Sequence, residues 1–132
     1  MYLWVFKIVR SVKGLKQNPV CNPLYYYGER QNGVILSRIR MRCSNLTAHL
    51  YDMKIIKESA CACGYSREDE YHYFFICPLY HRQRALLHGN VSQFAVFNLH
   101  TILYGRENIS PEENHKILDS VFTYIKLTKR FE

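Results

Sequence analysis

The sequence predicts a small, mostly α-helical domain of about five to six helices organised around one zinc-knuckle-like cluster of cysteine and histidine. Apolar residues recur three and four positions apart over several segments, which is the period of an amphipathic helix. Helix start and stop residues bound these segments. The 132 residues are 48% hydrophobic and 14% aromatic, a composition that argues against disorder.

The chain is predicted to divide into two parts. Residues 1–23 are expected to form an N-terminal extension and a loop, because apolar and basic residues mix there without a period and Pro19 and Pro23 follow. Residues 24–132 are expected to form the helical domain. The opening apolar run is interrupted by Lys7 and Arg10, so it is too short to span a membrane. No signal-peptide cleavage site follows it, and an intracellular location, in the nucleus or cytoplasm, is expected.

Two helices are predicted before the cysteine cluster. The first begins near Gly33, and the second runs past Leu50 to Met53, with Ser44 or Asn45 as its N-cap. Lys54 and Lys57 are expected near the end of the second helix, where cations favour the helix dipole.

Further helices are predicted after the cysteine cluster. Residues 70–76 are expected to form a short helix, and residues 79–88 another that ends at Gly89. Residues 92–104 favour one bent or two short helices ending at Gly105. The last helix begins at a capping box, Ser110-Pro111-Glu112-Glu113. Its predicted apolar face comprises Ile117, Leu118, Val121, Phe122 and Ile125.

The strongest chemical signal is the pattern C-x-C-x8-H-x4-C, formed by Cys61, Cys63, His72 and Cys77. Three thiolates and one imidazole are a ligand set that tetrahedral zinc prefers, and four protein ligands close the site to water. We therefore predict one structural zinc ion in a knuckle over residues 61–77. Gly64 suits the tight turn beside a metal-bound sulfur. His81 is a weaker ligand candidate.

Other interpretations of the cluster are open at this point. The cysteines could be small buried hydrophobes, and His72 could be a core histidine. A disulfide is the weaker rival, because Cys61 and Cys63 are too close to bridge without strain. The acidic run from Glu68 to Glu70 favours a solvated helix start over a carboxylate site, because adjacent side chains point in different directions.

Charge is distributed unevenly along the chain. Residues 1–57 carry ten Lys or Arg and two Asp or Glu, whereas residues 58–80 carry one and four. A basic half of the chain is typical of nucleic-acid-binding proteins, although surface charge that only keeps the protein soluble is an alternative explanation. The candidate phosphate-contacting residues are Arg38, Arg40, Arg42, Lys54 and Lys57, with Tyr26 as a candidate for base stacking. Arg42 could instead pair with a buried acid or carbonyl group, and Tyr26 could be a packing residue like its neighbours Tyr25 and Tyr27.

The motifs resemble the C-terminal zinc-binding region of non-LTR retrotransposon reverse transcriptases of the jockey-like kind. The resemblance covers about residues 24–132 and is carried most specifically by the C-x-C-G, E-x-x-H and C-P elements. An arginine-bearing segment, Arg82-Gln83-Arg84, follows them, and Leu36-Ser37-Arg38-Ile39-Arg40 precedes them. The resemblance implies that Cys61, Cys63, His72 and Cys77 are the ligands.

The resemblance also implies a role in holding template RNA or target DNA beside a reverse transcriptase domain. The sequence contains no Y-x-D-D polymerase motif and no set of spaced carboxylates for two magnesium ions. We therefore expect a non-catalytic, zinc-dependent nucleic-acid-binding domain that has no membrane or small-molecule partner. The alternatives are a zinc-stabilised protein-interaction module and a non-functional element remnant.

Overall fold

The computed structural model describes residues 29–132, and within that range the chain is mostly helical and contains no strand. The prediction of a mostly helical domain is confirmed for these residues. The helices are α1 (Arg30–Arg40), α2 (Thr47–Asp52), α3 (His81–Ser92), α4 (Leu99–Tyr104) and α5 (Pro111–Thr128). A π turn (His72–Ile76) and a 3-10 turn (Pro78–Tyr80) lie between α2 and α3. The extension at 1–23 and Tyr26 lie outside the described residues.

Helix α5 is the main scaffold of the core. It begins at the predicted capping box, in which Ser110 Oγ accepts from the Glu113 N–H and the Glu113 carboxylate accepts from the Ser110 N–H, both at 3.1 Å. Its predicted apolar face is buried, as are the facing side chains Leu36, Ile39, Leu87, Val91, Ile102 and Leu103. No helix among residues 29–132 has the length and hydropathy that a membrane crossing requires.

Helix α3 packs along α5 through Leu87 and Val91. The prediction that this helix ends at Gly89 is wrong, since α3 continues to Ser92. Val91 is completely buried, and burying a valine side chain stabilises the last turn by about 1.5–3 kcal/mol. A glycine inside a helix costs only about 1 kcal/mol, so tertiary packing overrides the local stop signal.

The π turn is anchored to α5 by an aromatic cluster around Tyr73. The Tyr73 ring makes edge-on contacts with Tyr80, Tyr124 and Phe131, with ring centroids 5.2–5.5 Å apart. Its hydroxyl lies 2.6 Å from Thr128 Oγ1, and the Tyr124 hydroxyl donates to the Tyr73 carbonyl. The segment between the predicted ligands His72 and Cys77 is therefore part of the core.

Helices α1 and α2 are each followed, two residues past their last residue, by a left-handed residue that is not glycine. Arg42 has φ 59° and Lys54 has φ 64°. Each follows a Schellman-type pattern: the Cys43 N–H donates to the Arg38 carbonyl and the Ile55 N–H to the Leu50 carbonyl, both at 2.9 Å. The predicted continuation of α2 towards Lys57 is wrong, because the helix ends at Asp52.

Candidate metal centre

The four predicted ligands converge on one point. Their donor atoms all lie within 4.8 Å of one another. The Cys61 and Cys77 sulfur atoms are 3.7 Å apart, and Cys63 Sγ lies 3.4 Å from His72 Nε2. In a tetrahedral zinc site, bonds of about 2.3 Å to sulfur and about 2.0 Å to nitrogen place neighbouring ligand atoms about 3.5–3.8 Å apart. The group could therefore hold a metal ion.

A tight turn brings the first two cysteines together. Gly64 has φ 102°, which L-residues rarely adopt. Its N–H donates to the Cys61 carbonyl at 2.9 Å, and the Cys61 N–H donates to the Tyr65 carbonyl at 2.8 Å. The chain reverses within these few residues, so both sulfur atoms face the same side.

The π turn brings the other two ligands together. The Cys77 N–H donates to the His72 carbonyl at 2.9 Å, which closes a five-residue turn and places the two side chains near each other. Arg84 of α3 donates to the Phe74 carbonyl at 3.1 Å and also to the Cys77 carbonyl. These hydrogen bonds satisfy carbonyl groups at the end of the turn and fix its geometry.

The His72 imidazole is held in a defined orientation. It is 2% exposed, and the Tyr65 ring stacks on it with centroids 4.7 Å apart and an interplanar angle of 7°. Asp69 Oδ1 accepts the His72 backbone N–H at 2.9 Å. Nε2 faces Cys63, whereas Nδ1 is buried and makes no hydrogen bond to any described residue. The weaker ligand candidate, His81, is exposed and lies outside the group.

The surroundings of each cysteine affect its pKa differently, and burial dominates at the two buried ones. Burial raises the pKa of the Cys61 thiol to about 12 and also raises the pKa of Cys77. The Tyr65 backbone N–H lowers the pKa of Cys63. Burial lowers the pKa of His72, which favours the neutral imidazole that binds metals. A bound cation would displace the thiol protons, because metal ions bind the thiolate form.

The acidic residues do begin a helical turn, in which Asp69 Oδ1 accepts the His72 N–H, but they are ion-paired and partly buried, so the expectation that they are solvated is wrong. Glu68 is only 3% exposed. Its carboxylate accepts hydrogen bonds of 3.0 Å from both the backbone N–H and the hydroxyl of Thr47. Arg130 donates to both Glu68 oxygens, at 2.6 and 2.8 Å. Glu68 thereby joins residues 61–77, called the metal-binding loop after their four candidate ligands, to α2 and to the C-terminal segment.

Glu70 makes a second link from the loop to the first two helices. It pairs with Arg42, and its Oε1 lies 2.8 Å from His49 Nε2. His49 Nδ1 lies 2.8 Å from Ser44 Oγ. These three hydrogen-bonded side chains, serine, histidine and glutamate, have the residue types of a hydrolytic triad. Ser44 is only 2% exposed, however, and its Oγ accepts the Leu46 N–H, so the three side chains form a buried polar network here.

The predicted phosphate-contacting residues lie in different environments. Arg38, Lys54 and Lys57 are exposed, and no ion pair is recorded for them among residues 29–132. Arg40 is 8% exposed, donates to the Leu103 carbonyl and lies over the Tyr104 ring. Arg42 is engaged by Glu70 and lies 3.6 Å from Asp52. Their assignment to nucleic-acid contact stays a prediction.

The supporting residues of the site were not identified from the sequence. Arg84 and Arg130 contact the metal-binding loop, and Arg130 lies 62 positions from its partner in that loop, Glu68. The only sequence signal was the match between an acidic loop and basic residues elsewhere, which does not specify pairs. No family model, no curated protein and no solved structure matches this chain. The chemistry of the site therefore has to be inferred from its donor atoms and their surroundings.

Proposed function

We propose that this chain is a zinc-stabilised domain that binds nucleic acid without catalysing a reaction. Zinc is the metal that best suits three sulfur ligands and one imidazole nitrogen in a tetrahedral arrangement. Cys61, Cys63, His72 and Cys77 would hold the ion. Four protein ligands leave no coordination position for a reacting water molecule, so the role of the ion would be structural.

The observation that carries the nucleic-acid proposal is a local excess of exposed cations that the acids of the loop do not neutralise. The acids of the metal-binding loop pair with Arg42, Arg67 and Arg130. The described segment 29–57 carries six Lys or Arg against two Asp or Glu, and its exposed cations Arg38, Lys54 and Lys57 are outside those pairs. Exposed, unpaired cations are the groups that contact phosphates. Arg40 and Arg42 are left out of the proposed contact surface because protein groups already engage them.

The resemblance to the C-terminal regions of retrotransposon reverse transcriptases suggests a biological role for this binding. In that role, the domain holds template RNA or target DNA while a separate reverse transcriptase domain performs synthesis. Residues 1–28 carry four further Lys or Arg and no Asp or Glu, which adds to the attraction for phosphates. Tyr26 would contribute a stacking surface for a base.

A salt series tests the proposal. Binding to labelled single- and double-stranded RNA and DNA should weaken steeply as salt rises. The triple variant Arg38→Ala, Lys54→Ala, Lys57→Ala should reduce the slope of log K against log salt by about 0.9 for each lost contact on a duplex. The matched control, Arg82→Ala, Lys116→Ala, Lys126→Ala, removes the same charge from α3 and α5 and should retain the slope. Equal slopes for the two variants would contradict the assigned surface.

A protein-interaction module is the second candidate. Exposed apolar side chains follow one another at the end of α2, where Tyr51 is 45% exposed, Met53 38% and Ile55 63%. Apolar surface of this kind is typical of contact sites for protein partners, including a reverse transcriptase domain. Weak binding to every nucleic acid, with no dependence on salt, would favour this candidate over the first.

A further inference from the structure

Helix α2 cannot be stable by itself. It has only six residues, Thr47–Asp52, whereas isolated helices shorter than about 12–15 residues are marginal in water. Its N-cap residue is Leu46, whose side chain makes no capping hydrogen bond. It also ends in the left-handed residue Lys54, a conformation that is unfavourable for a residue with a Cβ atom. Contacts from elsewhere must therefore stabilise this helix.

The segment 67–70 supplies those contacts along the whole length of α2. At the start of the helix, the Glu68 carboxylate caps the Thr47 N–H and the Glu68 carbonyl accepts the Ala48 N–H, both at 3.0 Å. In the middle, Glu70 contacts His49 at 2.8 Å. At the end, Arg67 pairs with Asp52 at 2.6 Å. Every turn of α2 is thus bound by this short segment.

The segment 67–70 lies between the two halves of the candidate metal centre. Cys61 and Cys63 precede it, and His72 and Cys77 follow it. A metal ion bound to all four would close this loop and fix both of its ends, which lowers the entropy lost when the loop docks on α2. Without the ion, the four side chains would have no common ligand to hold the two ends together.

We propose that metal binding at Cys61, Cys63, His72 and Cys77 switches α2 between a folded and an unfolded state. The ion acts through the docked segment 67–70, and folded α2 in turn positions Lys54, two residues past its end, and the segment that leads on to Lys57. Metal loading would then control the nucleic-acid affinity of the domain. The coupling rests on the metal binding that is part of the proposed function, and the consequence for affinity rests in addition on the proposed nucleic-acid contacts.

Hydrogen exchange measured by mass spectrometry on the full chain tests the coupling. The protein is compared with one equivalent of Zn²⁺ and after removal of metal by a chelator. Amides of α2 should exchange at least about tenfold faster without metal, since loss of the docked loop removes both its cap and its packing. The buried amides of α5 are the internal reference and should remain protected. Unchanged protection of α2, or equal loss in α2 and α5, would overturn the proposal.

Two variants separate the docked segment from the metal itself. Glu68→Gln removes the charged cap, and Thr47→Val removes the hydroxyl that contacts Glu68 while leaving Arg130 with its partner. With Zn²⁺ bound, both should speed exchange in α2, by about tenfold and about threefold respectively, and should speed it more in α2 than in α5. Glu112→Gln, an exposed acid in the first turn of α5, is the matched control and should change neither. If α2 exchange in both variants equals that of the wild type, the proposed coupling is wrong.

Nucleic-acid affinity measured on the same samples distinguishes this proposal from the proposed function. If α2 loses protection on metal removal but affinity does not change, the coupling holds and the assignment of Lys54 and Lys57 fails. If α2 stays protected while binding still depends on salt and on these lysines, the coupling fails and the nucleic-acid proposal stands.

Discussion

Arg130 and Glu68 form a bidentate ion pair across 62 positions of the chain, with the Nε–Oε2 distance 2.8 Å and the Nη2–Oε1 distance 2.6 Å. The Arg130 side chain is 22% exposed and that of Glu68 4%. Arg130 also donates to the Asn45 carbonyl at 2.9 Å. This arginine therefore joins the metal-binding loop to the connection between α1 and α2.

Arg130→Ala should destabilise the domain. The change leaves the buried Glu68 carboxylate without its charge partner, and breaking a buried ion pair in this way costs about 3 kcal/mol. Urea unfolding of the metal-loaded protein measures the loss. Arg82→Ala, at an exposed position in α3, is the control and should change stability by less than about 0.5 kcal/mol. A similar small change for Arg130→Ala would show that the pair does not stabilise the fold.

The contribution of Glu68 should depend on pH. Burial raises the pKa of this carboxyl group, but hydrogen bonds from Arg130 and Thr47 outweigh that effect and hold the pKa below its ordinary value of 4.5. The unfolded chain therefore binds the proton more readily than the folded one. The stabilisation is complete above pH 4.5 and is lost as the pH falls through the lower pKa of the folded state.

Unfolding of wild type and Glu68→Gln across a pH series isolates this effect from other titrating groups. The stability difference between the two proteins should be constant near neutral pH and should shrink below pH 4.5. A difference that stays constant down to pH 3 would mean that the carboxylate charge contributes nothing.

Two glycines should respond to alanine in opposite directions. Gly64 has φ 102°, so Gly64→Ala should destabilise the metal-binding loop by about 1–2 kcal/mol through backbone strain alone. Gly89 lies inside α3, and a Cβ there would have no atom within 4 Å. Gly89→Ala should therefore stabilise the domain by about 0.5–1 kcal/mol. Thermal or urea unfolding of both variants checks the signs, and destabilisation by Gly89→Ala would contradict the observed continuation of α3.

One zinc ion per chain is the expected metal content of the purified protein. Cys61→Ser should abolish this content, because a serine hydroxyl is a poor replacement for a thiolate ligand. Cys43→Ser is the matched control, since Cys43 is exposed and lies outside the ligand group. Native mass spectrometry of wild type and both variants reads the stoichiometry directly. A metal-free wild type that unfolds cooperatively and does not respond to chelators would contradict the proposed site.

Local signals predicted the last helix correctly but failed at Gly89. The capping box at Ser110 and the apolar period of α5 are properties of neighbouring residues, so they can be identified in the sequence. The ends of α2 and α3 depend instead on distant contacts. Val91 extends α3 past Gly89 because it is buried in the core, and Lys54 ends α2 in a left-handed conformation that no local rule indicates.

The cluster of candidate ligands could be predicted from the sequence, whereas the environments of the charged residues could not. Cys61, Cys63, His72 and Cys77 were predicted as one group, because residue types that bind zinc at short spacing can meet through local turns. The sequence did not predict that Arg40 would be buried, since that depends on the Leu103 carbonyl, 63 positions away. Basic residues on one helix look alike in the sequence, and only their partners distinguish a core arginine from an exposed one.

The sequence by itself determined the helical class, the start and apolar face of α5, and which four cysteine and histidine residues cluster. Each of these depends on residues close together along the chain, so spacing is enough to reveal it. Only the tertiary structure decided that Glu68 and Glu70 contact α2 and that Arg130 pairs with Glu68. It also decided which cations bind protein groups, as Arg40 and Arg42 do, and which are exposed without an ion pair to any described residue, as Arg38 and Lys57 are. These outcomes depend on which distant groups packing brings together, because a buried charge is stable only when a partner comes within hydrogen-bonding distance.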